Sequence, residues 1–326
     1  MTKYMRTYIL RRLIQTVVVI FLLSFVSYYL MNLMPGDPID IMIMSNPRMT
    51  PEDADRLKKL YGFDKPIHVR YWIWLTTTLS GDLGYSRTYR VPVGEILGRR
   101  LLNTFYLSTS ALLLSLAIGI PIGIFSALRK GSSFDYAVNL FAFAGISIPS
   151  FFLGILLLIV FAIWLKWFPA GGTQTVGANL TGFAAFADRV KFIILPMCSL
   201  TAQQMAQYVR YMRSSMVETM HFDFIRTARA KGLPRRRVLF VHALRNALIP
   251  VVTIVALSIS FLFSGAIITE TLFAYQGAGK LVYDSIIAND FNVAMVSFNI
   301  TVGMVLIMNL IADILYAYLD PRISYK

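Results

Sequence analysis

The chain has 326 residues, 56% of them apolar and only 15% charged, with a mean hydropathy of +0.61. Such a composition is too oily for an ordinary soluble domain, and the apolar residues fall in long runs instead of at amphipathic spacing, so the bilayer is the expected solvent. A formal net charge of +14 raises nucleic acid as a partner, but the charges have to be read loop by loop before that can be weighed.

The first apolar run, Leu13 to Met34, follows Lys3, Arg6, Arg11 and Arg12 and is long enough to cross about 30 Å of hydrocarbon at about 1.5 Å per residue. A cleaved signal peptide has a shorter apolar core that ends in small residues. This run ends in the helix-stopping MPGDP and reads as a retained transmembrane helix occupying 1–35. Residues 36–98 form a polar loop with its own order. MTPEDADRLKKLYG offers Thr50 as N-cap, Pro51 at the first helical position, Asp53 in a capping-box pattern and Gly62 as terminator. A second helix is expected from Pro66. Its Tyr71, Trp72 and Trp74 suit either an interfacial anchor or the packing face of a small subdomain.

Five further runs follow within 99–319: Leu101 to Leu128, Ala137 to Leu165, Phe192 to Tyr211, Leu248 to Thr269 and Val293 to Leu319. The expected architecture is an all-α membrane protein with six transmembrane helices, a small extracytoplasmic subdomain between helices 1 and 2, an inner segment at 212–247 and a tail at 320–326. The fourth run is the least apolar because Gln203, Gln204 and Gln207 interrupt it, and such residues are tolerated facing the bundle or a wet cavity. Gly119, Pro121 and Gly123, and Gly145, Pro149 and Gly154, suit kinks or close packing. Asp313 is the one acid inside a predicted span. It suits gating or proton coupling on one reading, a polar clamp or an interfacial position on the other; Asn299 and Asn309 suit packing or path lining. Glu270, at the outer end of the fifth run, is expected to be solvated.

With both termini inside, the inner segments hold 17 of the 31 Lys and Arg against four acids, nine of those cations lying between Arg210 and Arg245. The outer segments hold 14 cations against 12 acids, ten of the cations in the one long loop whose charge counts little for topology. The basic excess therefore reports orientation, not nucleic acid.

Neither an enzyme nor a metal site can be assembled. The three histidines, His68, His221 and His242, all lie in loops; there is no HExxH or GxSxG; and Cys198 stands alone as a small packing residue. YQGAGKLV around Gly277 to Lys280 fails as a phosphate loop, with Ala274 and Leu281 where that pattern needs Gly and Ser or Thr.

The most informative stretch is FDFIRTARAKGLPRRRVLFVHALRNALIP, Phe222 to Pro250, on the inner side. Ile225, Ala228, Arg229 and Gly232 fall at helical spacing, GLP ends that helix, and a second amphipathic piece with Val238, Leu239 and Val241 leads into the fifth run. Physics alone admits a basic helix on anionic headgroups or a docking helix for a soluble partner.

RTARAKG followed by Ile249-Pro250 resembles the cytoplasmic coupling motif of importer permeases of the ATP-binding cassette class. Together with MPGDP, GDLGYS, IPSFF and LDPRISY, it is similar from end to end to the first permease of dipeptide and oligopeptide importers, in the peptide and nickel importer family. The general class motif opens with glutamate where this chain has Arg226, a form that resembles this subfamily. The resemblance implies a type I importer permease that hydrolyses nothing and carries no cofactor. Its partners would be a homologous second permease, two ATP-binding cassette subunits holding ATP and Mg, and an extracytoplasmic substrate-binding protein, in a bacterial or archaeal cytoplasmic (inner) membrane. It also implies that Arg226, Thr227, Ala228, Arg229, Ala230, Lys231, Gly232 and Arg235 couple to the ATPase. Gln203, Gln204, Gln207, Asn309 and Asp313 are the candidate path or gating residues. Peptide is the expected cargo, with glutathione, nickel chelates or other small solutes as alternatives within the family. A self-contained secondary transporter or a membrane scaffold are the readings outside it.

Overall fold

The structure, a computed structural model, describes residues 3–33, 52, 53, 56, 59, 62, 64–264 and 266–319. The expected cap at Thr50 and Pro51, the MPGDP segment after Met34 and the LDPRISY tail beyond Leu319 lie outside the described residues. Among those residues the chain is helical, with no strand beyond one isolated bridge between Tyr85 and Pro92.

The helices used below are α1 (Lys3–Asn32), α2 (Ile67–Leu79), α3 (Val93–Leu128), α4 (Ser133–Ser147), α5 (Ser150–Leu157, continued as π-helix to Trp164), α6 (Gly182–Thr219), α7 (Asp223–Ala230), α8 (Arg235–Ser260, wound as π-helix over Val238–Ala243), α9 (Ile267–Leu272), α10 (Ala278–Ile287) and α11 (Phe291–Leu319). Four are long and apolar enough to cross a bilayer, namely Thr7–Asn32, α3, α8 and Phe291–Leu315. The 38-residue α6 contains the expected fourth run, but its glutamines and flanking charges keep it out of that set.

One expectation is sharpened and one corrected. The third run is not one rod: α4 and α5 meet at 101°, because Pro149 starts a new helix and holds Ile148 extended at ψ 121°. The fifth run does not continue to Thr269, since α8 ends at Ser260 in a turn and Ile267–Leu272 is a separate short helix.

The α3–α6 pair forms the centre. Gly119 and Gly123, one turn apart, put α3 so close to α6 that added Cβ atoms would lie 3.1 Å from Tyr208 Cβ and 2.7 Å from Met212 Cβ. Small residues at this spacing let backbones approach where apolar burial gives no net drive between helices in lipid. On the flank, α1 and α11 run antiparallel: Ser27 donates to Asn299 at 3.1 Å, and Arg12 pairs with Asp313 at 3.3 Å. Tyr71 of α2 is buried against Phe21, Phe25 and Tyr28 of α1 with Trp74 packed beside it, whereas Trp72 is exposed, so the three aromatics the sequence grouped part company.

The GDLGYS segment is pinned to the start of α11. Ser86 Oγ and Thr88 N–H donate to the buried Asp290 carboxylate at 2.6 and 3.0 Å, and Asn292 donates to the Leu83 and Tyr85 carbonyls.

Candidate functional site

The segment from Phe222 to Pro250 folds as its periodicity suggests. In α7, Ile225 and Ala228 are buried together with Met212, Met216, Val238, Ala243, Ala247 and Val251, so the helix is held to the ends of α6 and α8 by one apolar seam. Arg226, Thr227, Arg229, Ala230, Lys231, Gly232 and Arg235 remain exposed. Arg226 pairs with Asp223 at 3.4 Å, but both side chains are largely in solvent, so that pair holds little in place.

Helix α7 stops for a reason visible in its backbone. Leu233 N–H donates back to the Ala228 carbonyl and Gly232 N–H to the Arg229 carbonyl, at 3.3 and 3.0 Å. That closure needs a left-handed residue, and Gly232 supplies φ +72° without meeting any neighbour; Pro234 then prevents continuation. The glycine is thus required by conformation, not by close approach.

A second feature at the same end of α6 was not singled out from sequence. Asp135 accepts from Ser126 Oγ at 2.5 Å, Gly131 N–H at 3.0 Å and Asn139 Nδ2 at 3.1 Å, and it faces Arg213 of α6. These bonds tie the α3–α4 turn to α6, two turns ahead of α7. SSFD, with Ser132 accepting from Asp135 N–H, is a readable capping signal, but nothing in it names Arg213 as the partner.

The expected path residues differ in exposure and partners. Gln203 and Gln207 lie exposed one turn apart on α6, opposite the buried Tyr208, Val209 and Met212; Gln204 is partly buried and accepts from Ser115 Oγ at 3.4 Å. Asn309 is exposed on α11, and Asp313 of the same helix is engaged with Arg12.

Glu270 is a correction: it is fully buried, not solvated. Thr104 Oγ1 donates to its Oε1 at 2.7 Å and Lys280 N–H to its Oε2 at 2.9 Å, while Ala278 N–H donates to Thr104 Oγ1. The QGAGK loop therefore wraps a carboxylate, and a side chain at Gly277 would collide with it. Burial pushes the Glu270 carboxyl above the ordinary glutamate range, against these hydrogen bonds. Among the described residues no group of three or more His, Cys, Asp or Glu is placed to hold a metal ion.

Known proteins with this sequence pattern cover the whole chain. The oligopeptide transport system permease protein AppB of Bacillus subtilis (strain 168) is 39% identical over 322 residues, 98% of this chain and 100% of its own. The dipeptide transport system permease protein DppB of Escherichia coli (strain K12) is 36% identical over 340 residues, 99% of this chain and 100% of its own. Among solved structures, the MetNI methionine ABC transporter in inward-facing conformations has a chain that superposes with a TM-score of 0.54 at 16% identity, covering 69% of this chain and 96% of that one, which supports the fold alone. Residues 5–105 match the N-terminal region described as a binding-protein-dependent transport system membrane component. With 119–325 matching the domain itself, the chain belongs to the family of binding-protein-dependent transport system inner membrane components.

Proposed function

We propose that this chain is one of two permease subunits of an ATP-driven importer for di- or oligopeptides, crossing the membrane six times with both termini inside. The peptide assignment rests on relatives named as oligopeptide and dipeptide permeases at 36–39% identity over nearly the whole chain. The sixth crossing would be the glutamine-bearing stretch of α6, whose exposed Gln203 and Gln207 would face the path instead of lipid. The chain forms half of the path and transmits force; ATP and Mg belong to two cytosolic ATPase subunits, and an extracytoplasmic binding protein delivers cargo.

The single observation that carries the coupling role is α7. It is a short helix fixed to α6 and α8 through Ile225 and Ala228 while Arg226, Thr227, Ala230 and Lys231 face outward. A rigid lever with a cationic outer face suits an acidic groove on a soluble partner, and movement of that partner would pass directly to α6 and α8. Arg229, Gly232 and Arg235 complete the segment. Gln203 and Gln207 are the best placed of the path candidates, being exposed together on one face of α6. A self-contained secondary transporter would need an ion site near midplane, whereas Asp313 already has Arg12 as its counter-charge.

Affinity purification from the native membrane, with mass spectrometry of co-purifying chains, tests this reading against Gly232→Pro. The expected result is a second permease and ATPases with the native chain and loss of the ATPases from the variant. Recovery of the chain alone, under conditions that preserve known complexes, would overturn it.

A further inference from the structure

A cavity of about 560 Å³ lies between the end of α3, the end of α6 and the α7–α8 corner. That volume is within the range of small-molecule sites. Its lining is divided by chemistry: Lys130, His221, Arg229 and Arg235 supply four basic groups, while Leu128, Met220, Leu233 and Leu239 are among its apolar residues, and no carboxylate lines it. Lys130, Arg229 and Arg235 take part in none of the ion pairs found among the described residues. The nearby Asp223 pairs with Arg226, which does not line the cavity.

We propose that this cavity binds the phosphoryl headgroup of an anionic phospholipid, with the glycerol and first acyl carbons against Leu128, Met220 and Leu239. Cations without counter-charges around an apolar floor match a phosphate carried on an apolar stem, and a free phosphate ion would leave the floor unused. The location agrees, because the cavity sits where α3 and α6 end, on the side proposed to be the inner one. The cations of the inner segment are thereby split between two tasks. Ile225 and Ala228 mark the buried face of α7, and Arg229, four residues from Ile225, flanks it and reaches the cavity; Arg226 and Lys231 point away. A bound headgroup would brace the corner between α7 and the helix ends it drives. The inference rests on the proposed cytosolic placement of α7.

The test is native mass spectrometry of the full transporter after delipidation from nanodiscs of equal phosphatidylglycerol and phosphatidylcholine. We expect selective retention of phosphatidylglycerol, reduced about fivefold by Lys130→Ala, restored by Lys130→Arg, and unaffected by Arg236→Ala/Arg237→Ala, which removes two cations outside the cavity. ATPase co-purification with Lys130→Ala is expected to stay unchanged. Equal retention of the two lipids, or an equal loss in the Arg236/Arg237 variant, would overturn the site. Displacement by soluble glycerol phosphate at millimolar concentration would also overturn the lipid assignment, identifying a free phosphate as the source. Loss of ATPases from Lys130→Ala with lipid retention intact would overturn it in favour of partner docking. Should the native chain bring down no ATPase yet retain phosphatidylglycerol selectively, the coupling reading would fail and the lipid site would stand.

Discussion

Asp135 and Arg213 meet side-on across α4 and α6, the carboxylate accepting from Nε at 2.6 Å and from Nη2 at 2.7 Å. The Asp135 side chain is 3% exposed and that of Arg213 24%. Two parallel bonds in such a setting fix orientation as well as proximity. Removing one partner leaves a charge out of water without its counter-ion, so Asp135→Ala is expected to destabilise by about 3 kcal/mol. Asp135→Ala/Arg213→Ala should lose less than the sum of the two single changes. A double-mutant cycle on thermal unfolding in detergent measures this, and additive losses would show that the pair is not coupled.

Gly232 closes α7 in the left-handed region with open space around it. An L-residue there pays a backbone strain of about 1–2 kcal/mol without any steric clash. Gly232→Ala should therefore leave the fold of the bundle intact and weaken ATPase retention, with Gly232→Asn intermediate because Asn tolerates this conformation. Comparable retention by all three proteins would remove the closure of α7 from the coupling argument.

The α3–α6 contact grades its two glycines. A Cβ at Gly123 meets Met212 Cβ at 2.7 Å and the Val209 carbonyl at 2.8 Å, whereas at Gly119 the nearest atoms are at 3.1 and 3.2 Å. Gly123→Ala is expected to lower stability by about 1–3 kcal/mol, the usual range for overpacking, and Gly119→Ala by clearly less. Thermal unfolding of the two variants side by side gives the order, and a reversed order would contradict the packing described.

How much of this was legible follows from where the partners lie along the chain. The α7 helix could be read because its apolar spacing, its glycine and its proline are all within a dozen residues of one another. The 101° bend was only half legible: Pro149 marks the break, but the direction of α5 depends on what it packs against, and a Cβ on Gly154 would meet Leu272, more than a hundred residues away. Asp313 stood out as an acid in an apolar run, yet Arg12, which answers it, is at the other end of the sequence. Asp135 and Glu270 escaped for the same reason, since each draws a decisive bond from a residue far off in sequence, Arg213 in one case and Thr104 in the other.

For Asp313 the pair with Arg12 supplies a structural role without gating. The two side chains lie 3.3 Å apart, so the acid in this apolar run has its counter-charge on α1. Asp313→Asn is expected to retain transport in reconstituted vesicles within about fivefold. Abolished uptake in a complex that still assembles would return Asp313 to a gating role.

Glu270 carries a pH signature with a definite sign. Its carboxyl lies above the ordinary glutamate value of 4.5 because burial disfavours the charged form more than the Thr104 and loop N–H bonds favour it. A folded value above the unfolded one means that its contribution to stability is fully present below about 4.5 and is lost as pH rises through the folded value. Glu270→Gln removes that titration while keeping an acceptor for Thr104. The melting temperature of the wild type should thus fall relative to the variant as pH is raised from the acid side, the gap levelling off once Glu270 is fully ionised. A gap that stays constant with pH, or one that closes as pH rises, would mean that the hydrogen bonds match or outweigh burial and that the loop closes on a carboxylate with an ordinary or lowered pKa.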